Sequence, residues 1–127
     1  NAVIPIDNSL FVNIHKDSLV NSLKRVGLFS NKATNIVSFI FSNNNLKITA
    51  KDIDFNISAE ENVECNYNND EFVIGFKSTF IIELLNNIDT ESVLFEMSHF
   101  SKPVLIKPDT NEENTELLTL LMPMLLN

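Results

Sequence analysis

Glycine, cysteine and tryptophan are scarce in this 127-residue sequence, which has two glycines, one cysteine and no tryptophan. Loops that cradle phosphate groups in nucleotide-binding proteins need several glycines close together, whereas Gly27 and Gly75 stand far apart. One cysteine, Cys65, excludes a disulfide framework and is typical of a reducing compartment, so we expect a cytoplasmic protein. The sequence therefore argues against a nucleotide-binding loop and against a secreted, disulfide-linked domain.

Long apolar runs are also missing. No stretch approaches the roughly 20 apolar residues that a membrane-spanning helix needs, and the longest apolar-rich stretch, residues 117–127, is interrupted by Thr119 and Pro123. The sequence does not open on a charged and then apolar leader, which indicates no signal peptide. Its first residue is Asn1 rather than Met, which suggests a piece of a longer protein. We expect no membrane partner.

The composition that remains is that of one globular domain, residues 1–127. Hydrophobic residues make up 44% and charged residues 20%, which is enough apolar material for a core. Nineteen asparagines cluster around residues 43–45, 66–69 and 86–87. Because asparagine tolerates turn conformations that otherwise need glycine, we expect several of these residues to form turns.

The net charge of −8 is unevenly distributed. A protein that simply coats DNA would be basic, so the overall charge argues against that class. Residues 16–32 nevertheless hold four bases and one acid, whereas residues 52–71 hold seven acids and no base. From charge alone, an ordinary solvated helix face explains the basic window better than a surface for a polyanion does.

Hydrophobic periodicity predicts an α+β fold in which the order strand, helix, three strands occurs twice. Leu19, Leu23 and Val26 share one helical face, and Phe11-Val12 with Leu23 recurs as Phe72-Val73 with Leu84. We predict two β-α-β-β-β repeats, about residues 9–67 and 71–124, with two helices packed on antiparallel sheets around one core. The expected strands are residues 10–14, 36–41, 46–50, one bent strand or two across 53–65, 71–76, 92–97, 104–107 and 116–122; the expected helices begin at Asp17 or Ser18 and at Ser78 or Thr79.

Residues that could support catalysis or bind a metal are dispersed. His15 and His99 lie far apart, and Cys65 falls in a strand pattern that favours a small core residue over a nucleophile. Adjacent carboxylates such as Glu60-Glu61 and Glu112-Glu113 point to opposite faces of a strand. Asp52 and Asp54 alone are a weak metal signal. We predict no enzyme, no cofactor and no metal site.

The end of the sequence is unusually apolar. A core strand would explain it as far as Met122, but proline cannot donate to a strand ladder, so the pairing must break at Pro123. A methionine-containing terminus beyond a strand could form part of a surface groove that binds varied partners, because methionine side chains adapt their shape. A tail folded onto the domain's own core explains the same residues equally well.

Several ordered motifs resemble the bacterial DNA sliding clamp, the beta subunit of DNA polymerase III, in its C-terminal third. They are Val3-Ile4-Pro5, Leu28-Phe29-Ser30-Asn31, Asn45-Leu46-Lys47-Ile48-Thr49-Ala50, Ile74-Gly75-Phe76, Leu84-Leu85-Asn86 and Met122-Pro123-Met124. The resemblance covers essentially the whole chain, and the Ile-Gly-Phe and Met-Pro-Met motifs at this separation are together quite specific.

The resemblance implies a DNA-clamp domain and a processivity factor for DNA replication. Two three-domain subunits of this family close head to tail into a homodimeric ring around duplex DNA and tether the polymerase. Topological linkage needs neither base reading nor a tight grip on phosphates, which is compatible with an acidic protein. On this basis we expect Lys24 and Arg25 to face the DNA, and Lys32 as a further candidate.

The family's last domain also carries a hydrophobic groove in which polymerases, the clamp loader and repair proteins dock short linear peptides. For Phe80 a pure core role is as plausible, and the family's usual basic-leucine ending is replaced by Leu125-Leu126-Asn127, which implies an altered peptide preference. Matching groove positions are Val3, Lys77, Phe80, Pro103, Leu120, Leu121, Met122, Pro123, Met124 and Leu125. Matching subunit-interface positions are Leu28 and Phe29, with an acidic edge strand formed by Ala59, Glu60, Glu61, Val63 and Cys65.

An alternative function belongs to another class. The chain would be a stand-alone antiparallel interaction module that uses the apolar segment 117–126 as an assembly strand. Further domains encoded upstream favour the clamp, and a start codon just before Asn1 favours the module.

Overall fold

The computed structural model describes residues 10–109, 119–124 and 126 of the chain. The predictions for Val3, for Leu125 and for the strand residues 116–118 lie outside these residues. The described elements, in chain order, are β1 (Leu10–His15), α1 (Lys16–Gly27), β2 (Ile36–Ser42), β3 (Asn45–Asp52), β4 (Ile57–Asn66), β5 (Phe72–Lys77), α2 (Ser78–Asn86), β6 (Ser92–Met97), β7 (Val104–Pro108) and β8 (Thr119–Leu121).

The strands form one antiparallel sheet in the order β5-β2-β3-β4-β1-β6-β7-β8. The two middle strands of the sheet, β4 and β1, share only a short ladder: Asn66 pairs with Asn13, and Cys65 pairs with Ile14. Its two outer edges also meet, because Met124 bridges to Gly75 on β5. The sheet therefore curls into two four-stranded halves, β5-β2-β3-β4 and β1-β6-β7-β8.

Each half contains a strand from the other part of the chain. β1, which precedes α1, pairs with β6, and β5, which precedes α2, pairs with β2. Neither group of strands can separate from the other without breaking these ladders. The predicted α+β class with two helices on antiparallel sheets is confirmed, whereas the repeat limits near 9–67 and 71–124 stay a prediction.

The two helices lie side by side and antiparallel on the inner face of the sheet. The backbone N–H of Lys16, where α1 begins, donates to the carbonyl of Glu91, and its Nζ donates to the carbonyl of Ile88, at 2.8 and 2.5 Å. At the other end, a Cβ added at Gly27 would lie 3.4 Å from Oγ of Ser78, where α2 begins. The start of each helix therefore packs beside the end of the other.

Alternating strand residues and one face of each helix build a single core. An aromatic cluster lies at its centre, with the rings of Phe39 and Phe76 5.0 Å apart in an edge-to-face arrangement. The helices contribute fully buried Leu19, Leu23 and Ile81, as their spacing predicts. Other large, fully buried side chains are Phe41, Tyr67, Phe95, Ile14, Leu46, Ile48 and Ile74.

Asparagines take the turn positions that glycine usually fills. Asn35, Asn44 and Asn56 have φ of 55°, 56° and 54°, in the left-handed region that asparagine tolerates better than most residues. Asn44 also accepts a hydrogen bond from the backbone of Tyr67 through its side chain, at 3.1 Å. The expectation that asparagines form turns is confirmed for the β2–β3 hairpin.

Two local predictions need correction. Residues 53–56 form a turn, not a strand, and β4 begins only at Ile57. The alternation of Ile53, Phe55 and Ile57 with polar residues predicted a strand. A turn can expose apolar residues with the same spacing, so the pattern alone does not distinguish the two. α1 begins at Lys16, because His15 rather than Asp17 or Ser18 caps it: its Nδ1 accepts from the Ser18 N–H.

Candidate functional site

The end of the chain crosses from one edge of the sheet to the other. After β8 pairs with β7, the described residues 122–124 and 126, here called the terminal segment, lie toward β5, and the Met124 N–H donates to the Gly75 carbonyl at 2.8 Å. A Cβ at Gly75 would lie 2.7 Å from both Cδ2 of Leu126 and the carbonyl oxygen of Met124. Glycine is thus required here by the close approach of the terminal segment. The pairing of β8 ends at Leu121, one residue before the predicted end at Met122, and resumes only as the single bridge at Met124.

An apolar cavity of about 190 Å³ lies beside the terminal segment. Met124 and Leu126 form one side, and Val73, Gly75 and Phe100 contribute to the other. Phe100 is 51% exposed and Val73 42%, so the apolar wall is open to solvent rather than closed over. Such an opening can receive an apolar side chain from a partner.

Only some of the predicted groove residues line this cavity. Met124 lines it, whereas Lys77, Phe80 and Pro103 do not. Of the remaining terminal positions, Met122 is 61% exposed, Pro123 is half-buried, Leu121 packs against the core, and Leu120 is described only through its pairing with Leu105.

Lys77 and Phe80 form a second, separate feature at the start of α2. The Lys77 ammonium lies 4.9 Å from the centroid of the Phe80 ring, a cation–π contact. Phe80 is 55% exposed, so the alternative of a core role for it is wrong. This pair presents an amphipathic surface that a peptide backbone or an aromatic side chain can cover.

The sequence reasoning missed Val73, Phe100 and Leu126. Val73 could have been found, because strand alternation places it on the same face as Gly75. Phe100 carries no such signal, since it comes from the β6–β7 connection and reaches the cavity only through the tertiary fold.

The predicted DNA-facing bases differ in whether their side chains already have a hydrogen-bond or ion-pair partner. Within the described parts of the chain, the Lys24 side chain is exposed and has no hydrogen-bond or ion-pair partner. Lys32 folds back, and its Nζ donates to the Leu28 carbonyl at 3.0 Å, where a cation complements the helix C-terminus. Lys24 is therefore the base best placed to meet an external phosphate.

Arg25 is held against β4. Its Nε and Nη2 both donate to the Glu61 carboxylate at 2.7 Å, and Ser22 Oγ donates to the same carboxylate at 3.0 Å. The hydrogen bond from Arg25 lowers the pKa of Glu61, and Glu61 in turn raises the pKa of Arg25. The structure thus brings together one predicted DNA-facing residue and one predicted interface residue, and orients the guanidinium toward β4.

The predicted subunit interface has an exposed part and a buried part. Leu28 is 67% exposed and Phe29 38%, at the turn that follows α1. β4 pairs with β3 from Ile57 to Glu64, and within the described residues its other edge is paired only at residues 65 and 66. The edge formed by residues 57–64, here called the open edge of β4, can therefore accept another strand.

The side chains on the open edge of β4 divide between its two faces. Glu60 is exposed, Ala59 is half-buried, and Val63 is buried in the core. Cys65 packs against the core, and burial raises the pKa of its thiol to about 11, so it is neutral at physiological pH. Val63 can therefore contribute its backbone but not its side chain to an interface, and the backbone of Cys65 already pairs with Ile14 on β1.

Metal and membrane features were sought in the described residues. Residues 10–109, 119–124 and 126 contain no group of three or more histidine, cysteine, aspartate or glutamate side chains placed to hold a metal ion. Neither α1 nor α2 is long and apolar enough to cross a membrane.

Comparison with known sequences identifies one family. The family model for the C-terminal domain of the DNA polymerase III beta subunit matches residues 1–125. The beta sliding clamp of Haemophilus influenzae is 30% identical over 122 residues, which cover 96% of this chain and 32% of that protein. The clamp of Chlamydia muridarum is 29% identical over 125 residues, which cover 98% and 32%. The chain spans about a third of the length of these relatives.

Solved structures have the same fold. A DNA polymerase sliding clamp from Pseudomonas aeruginosa superposes with a TM-score of 0.89 at 27% identity, over 97% of this chain and 33% of that chain. A second structure from the same organism, a sliding clamp bound to griselimycin, also has a TM-score of 0.89 at 27% identity, over 98% of this chain and 32% of that one. These matches confirm the resemblance inferred from the motifs.

Proposed function

The chain belongs to the family formed by the C-terminal domain of the DNA polymerase III beta subunit, and from that membership we propose that it is one domain of a ring that encircles duplex DNA. The family is one of sliding clamps, which are non-enzymatic processivity factors. In the complete gene product, two subunits would close head to tail, with α1 and α2 facing the DNA. Tethering by topology suits an acidic chain, since the ring holds DNA without a high density of positive charge.

The proposed partner site is the terminal segment with its cavity. The observation that carries this proposal is the apolar, solvent-open cavity of about 190 Å³ formed where Met124 and Leu126 meet Gly75 and Phe100. A related clamp binds griselimycin. In this chain, a short peptide with an aromatic or leucine anchor would insert that side chain beside Met124, while Lys77 and Phe80 would contact the peptide farther along.

The peptide proposal is tested by isothermal titration calorimetry with a short peptide that contains a glutamine and a leucine-phenylalanine pair. Met122→Ala combined with Met124→Ala should weaken binding about tenfold or more, because the cavity loses the Met124 side chain and the peptide loses the neighbouring exposed Met122 side chain. Phe11→Ala removes an exposed aromatic side chain of β1 that does not line the cavity; it is the matched control and should bind like the parent.

No binding heat with the parent protein, or equal affinity of the double methionine variant, would remove the groove assignment. The alternative function as an assembly module is less well supported. Its apolar strand already pairs within the chain, through Leu121 with Val104 and through Met124 with Gly75.

A further inference from the structure

A second depression, of about 590 Å³ and here called the outer depression, adjoins the cavity beside the terminal segment. Leu126 lines both openings: it forms one side of the apolar cavity of about 190 Å³ and also contributes to the outer depression. The other residues that line the outer depression come from β2, β3, β4 and the connections beside them. The two openings therefore share a wall, and a ligand in one can reach the other across Leu126.

The outer depression lies on the face of the sheet opposite the helices. Ile74 and Phe76 are buried in the core, so strand alternation directs position 75 toward the outer face. Leu126 occupies the space that a side chain at Gly75 would fill, with its Cδ2 2.7 Å from the Cβ position. Leu126 is itself 41% exposed, so a ligand can pass over it onto the sheet.

Short side chains continue from Gly75 across the outer face. Gly75 pairs with Ser38 on β2, and Ser38 pairs with Thr49 on β3. Thr49 in turn pairs with Glu60 on β4. Lys51 lies two residues farther along β3 on the same face and also lines the outer depression. The small side chains of Ser38 and Thr49 thus leave a shallow track that crosses the strands from the terminal segment toward Lys51.

The outer depression offers positive charge although the chain as a whole is acidic. The outward-facing positions of β5, β2 and β3 include Lys47, Lys51 and Lys77 and no carboxylate. Lys51 is exposed, and its side chain makes no hydrogen bond or ion pair within the part of the chain that the structure describes. The one carboxylate among the lining residues belongs to Glu60, at the β4 end of the track. An acidic group from a ligand would therefore meet an unpaired ammonium at Lys51.

We propose that the outer depression is a second subsite of the proposed peptide site and that it takes an acidic residue that flanks the peptide's apolar anchor. The proposal rests on the proposed function, because the occupant is the continuation of the same peptide. Adjacent strands lie about 4.8 Å apart, so the path from β5 to β3 covers roughly 10 Å, which an extended peptide spans in about three residues. The flanking segment would cross Leu126 and place an aspartate or glutamate beside Lys51, a charge contact that selects among peptides with equal anchors.

The test measures peptide affinity by isothermal titration calorimetry with the complete gene product. The reference is the peptide that carries the anchor alone. Two longer peptides extend it at either end and carry a glutamate about three residues beyond the anchor, and a glutamine replaces the glutamate in their matched controls. One of the two glutamate peptides should bind about threefold more tightly than its glutamine control, and this gain should shrink as salt rises.

Variants of Lys51 locate the contact. Lys51→Glu should abolish the gain from glutamate and leave the affinity of the reference peptide unchanged, because the anchor cavity does not include Lys51. Lys51→Arg is the conservative control and should keep the gain, since the positive charge remains. Circular dichroism melting should be the same for both variants, because the altered side chain is exposed.

The outcomes separate this subsite from the proposed function. A reference peptide that binds, together with no gain from either glutamate peptide, would overturn the subsite and leave the anchor cavity intact. A gain that persists in Lys51→Glu would also overturn it. No binding of any of the peptides would overturn both proposals. A gain that is lost in Lys51→Glu and kept in Lys51→Arg supports the subsite.

Discussion

Gly75 shows how a single position couples the sheet to the partner site. Its missing side chain leaves room for Leu126 and for the carbonyl of Met124, which both lie 2.7 Å from where a Cβ would be. The same contact sets one wall of the apolar cavity. The residue thus affects both the closure of the sheet and the shape of the proposed peptide site.

Gly75→Ala should therefore displace the terminal segment. We expect the free energy of unfolding to fall by about 1–3 kcal/mol, as for other additions of volume at a packed position, and peptide affinity to fall with it. Urea unfolding and calorimetry measure the two effects. Gly27→Ala is the matched control, because its Cβ would meet only Ser78 at 3.4 Å, an ordinary contact, and alanine favours a helix. Equal stability and equal peptide affinity of Gly75→Ala would contradict this role of the terminal segment.

At the scale of elements, the helix pair carries little free positive charge. α2 (Ser78–Asn86) contains no lysine or arginine, and on α1 Arg25 is engaged with Glu61 while Lys24 is free. Non-specific DNA affinity depends on how many phosphates are neutralised. In the proposed ring, the contribution of this domain to holding DNA would therefore rest mainly on Lys24.

Lys24→Glu should shorten the retention of the complete gene product on circular DNA about threefold or more, and the effect should shrink as salt rises. Arg25→Glu should have a smaller effect on retention, because its guanidinium already contacts Glu61. Retention half-life by gel filtration at two salt concentrations is the measurement. Lys51→Glu makes the same charge change at the exposed position of β3 and is the control; an equal effect of all three variants would refute the placement of Lys24.

Sequence reasoning predicted the elements correctly where the residues spaced as apolar positions are also the ones that the fold buries. The helix faces around Leu23 and Ile81 and the strands around Phe39 and Phe95 follow from apolar spacing alone. It failed at residues 53–56, where alternation is the same for a turn and a strand. It also could not anticipate the contact between Arg25 and Glu61, or the arrival of Phe100 beside Met124, because these depend on how distant elements meet.

At the scale of the whole molecule, the exchange of strands between the two halves and the bridge from Met124 to Gly75 connect the two halves of the sheet. Two exposed features lie at its margins: the unpaired open edge of β4 and the cavity beside the terminal segment. In the proposed ring, the open edge of β4 would face another subunit and the cavity would face a peptide.

The central claim, that this chain is part of a ring around DNA, is tested most directly by topology. The complete gene product is loaded onto a nicked circular plasmid with clamp-loading proteins, and the plasmid is then cut once by a restriction enzyme. We predict that the protein co-elutes with the intact circle through gel filtration and is lost from the DNA after the cut. Equal retention on circular and linear DNA, or no retention on either, would contradict the claim.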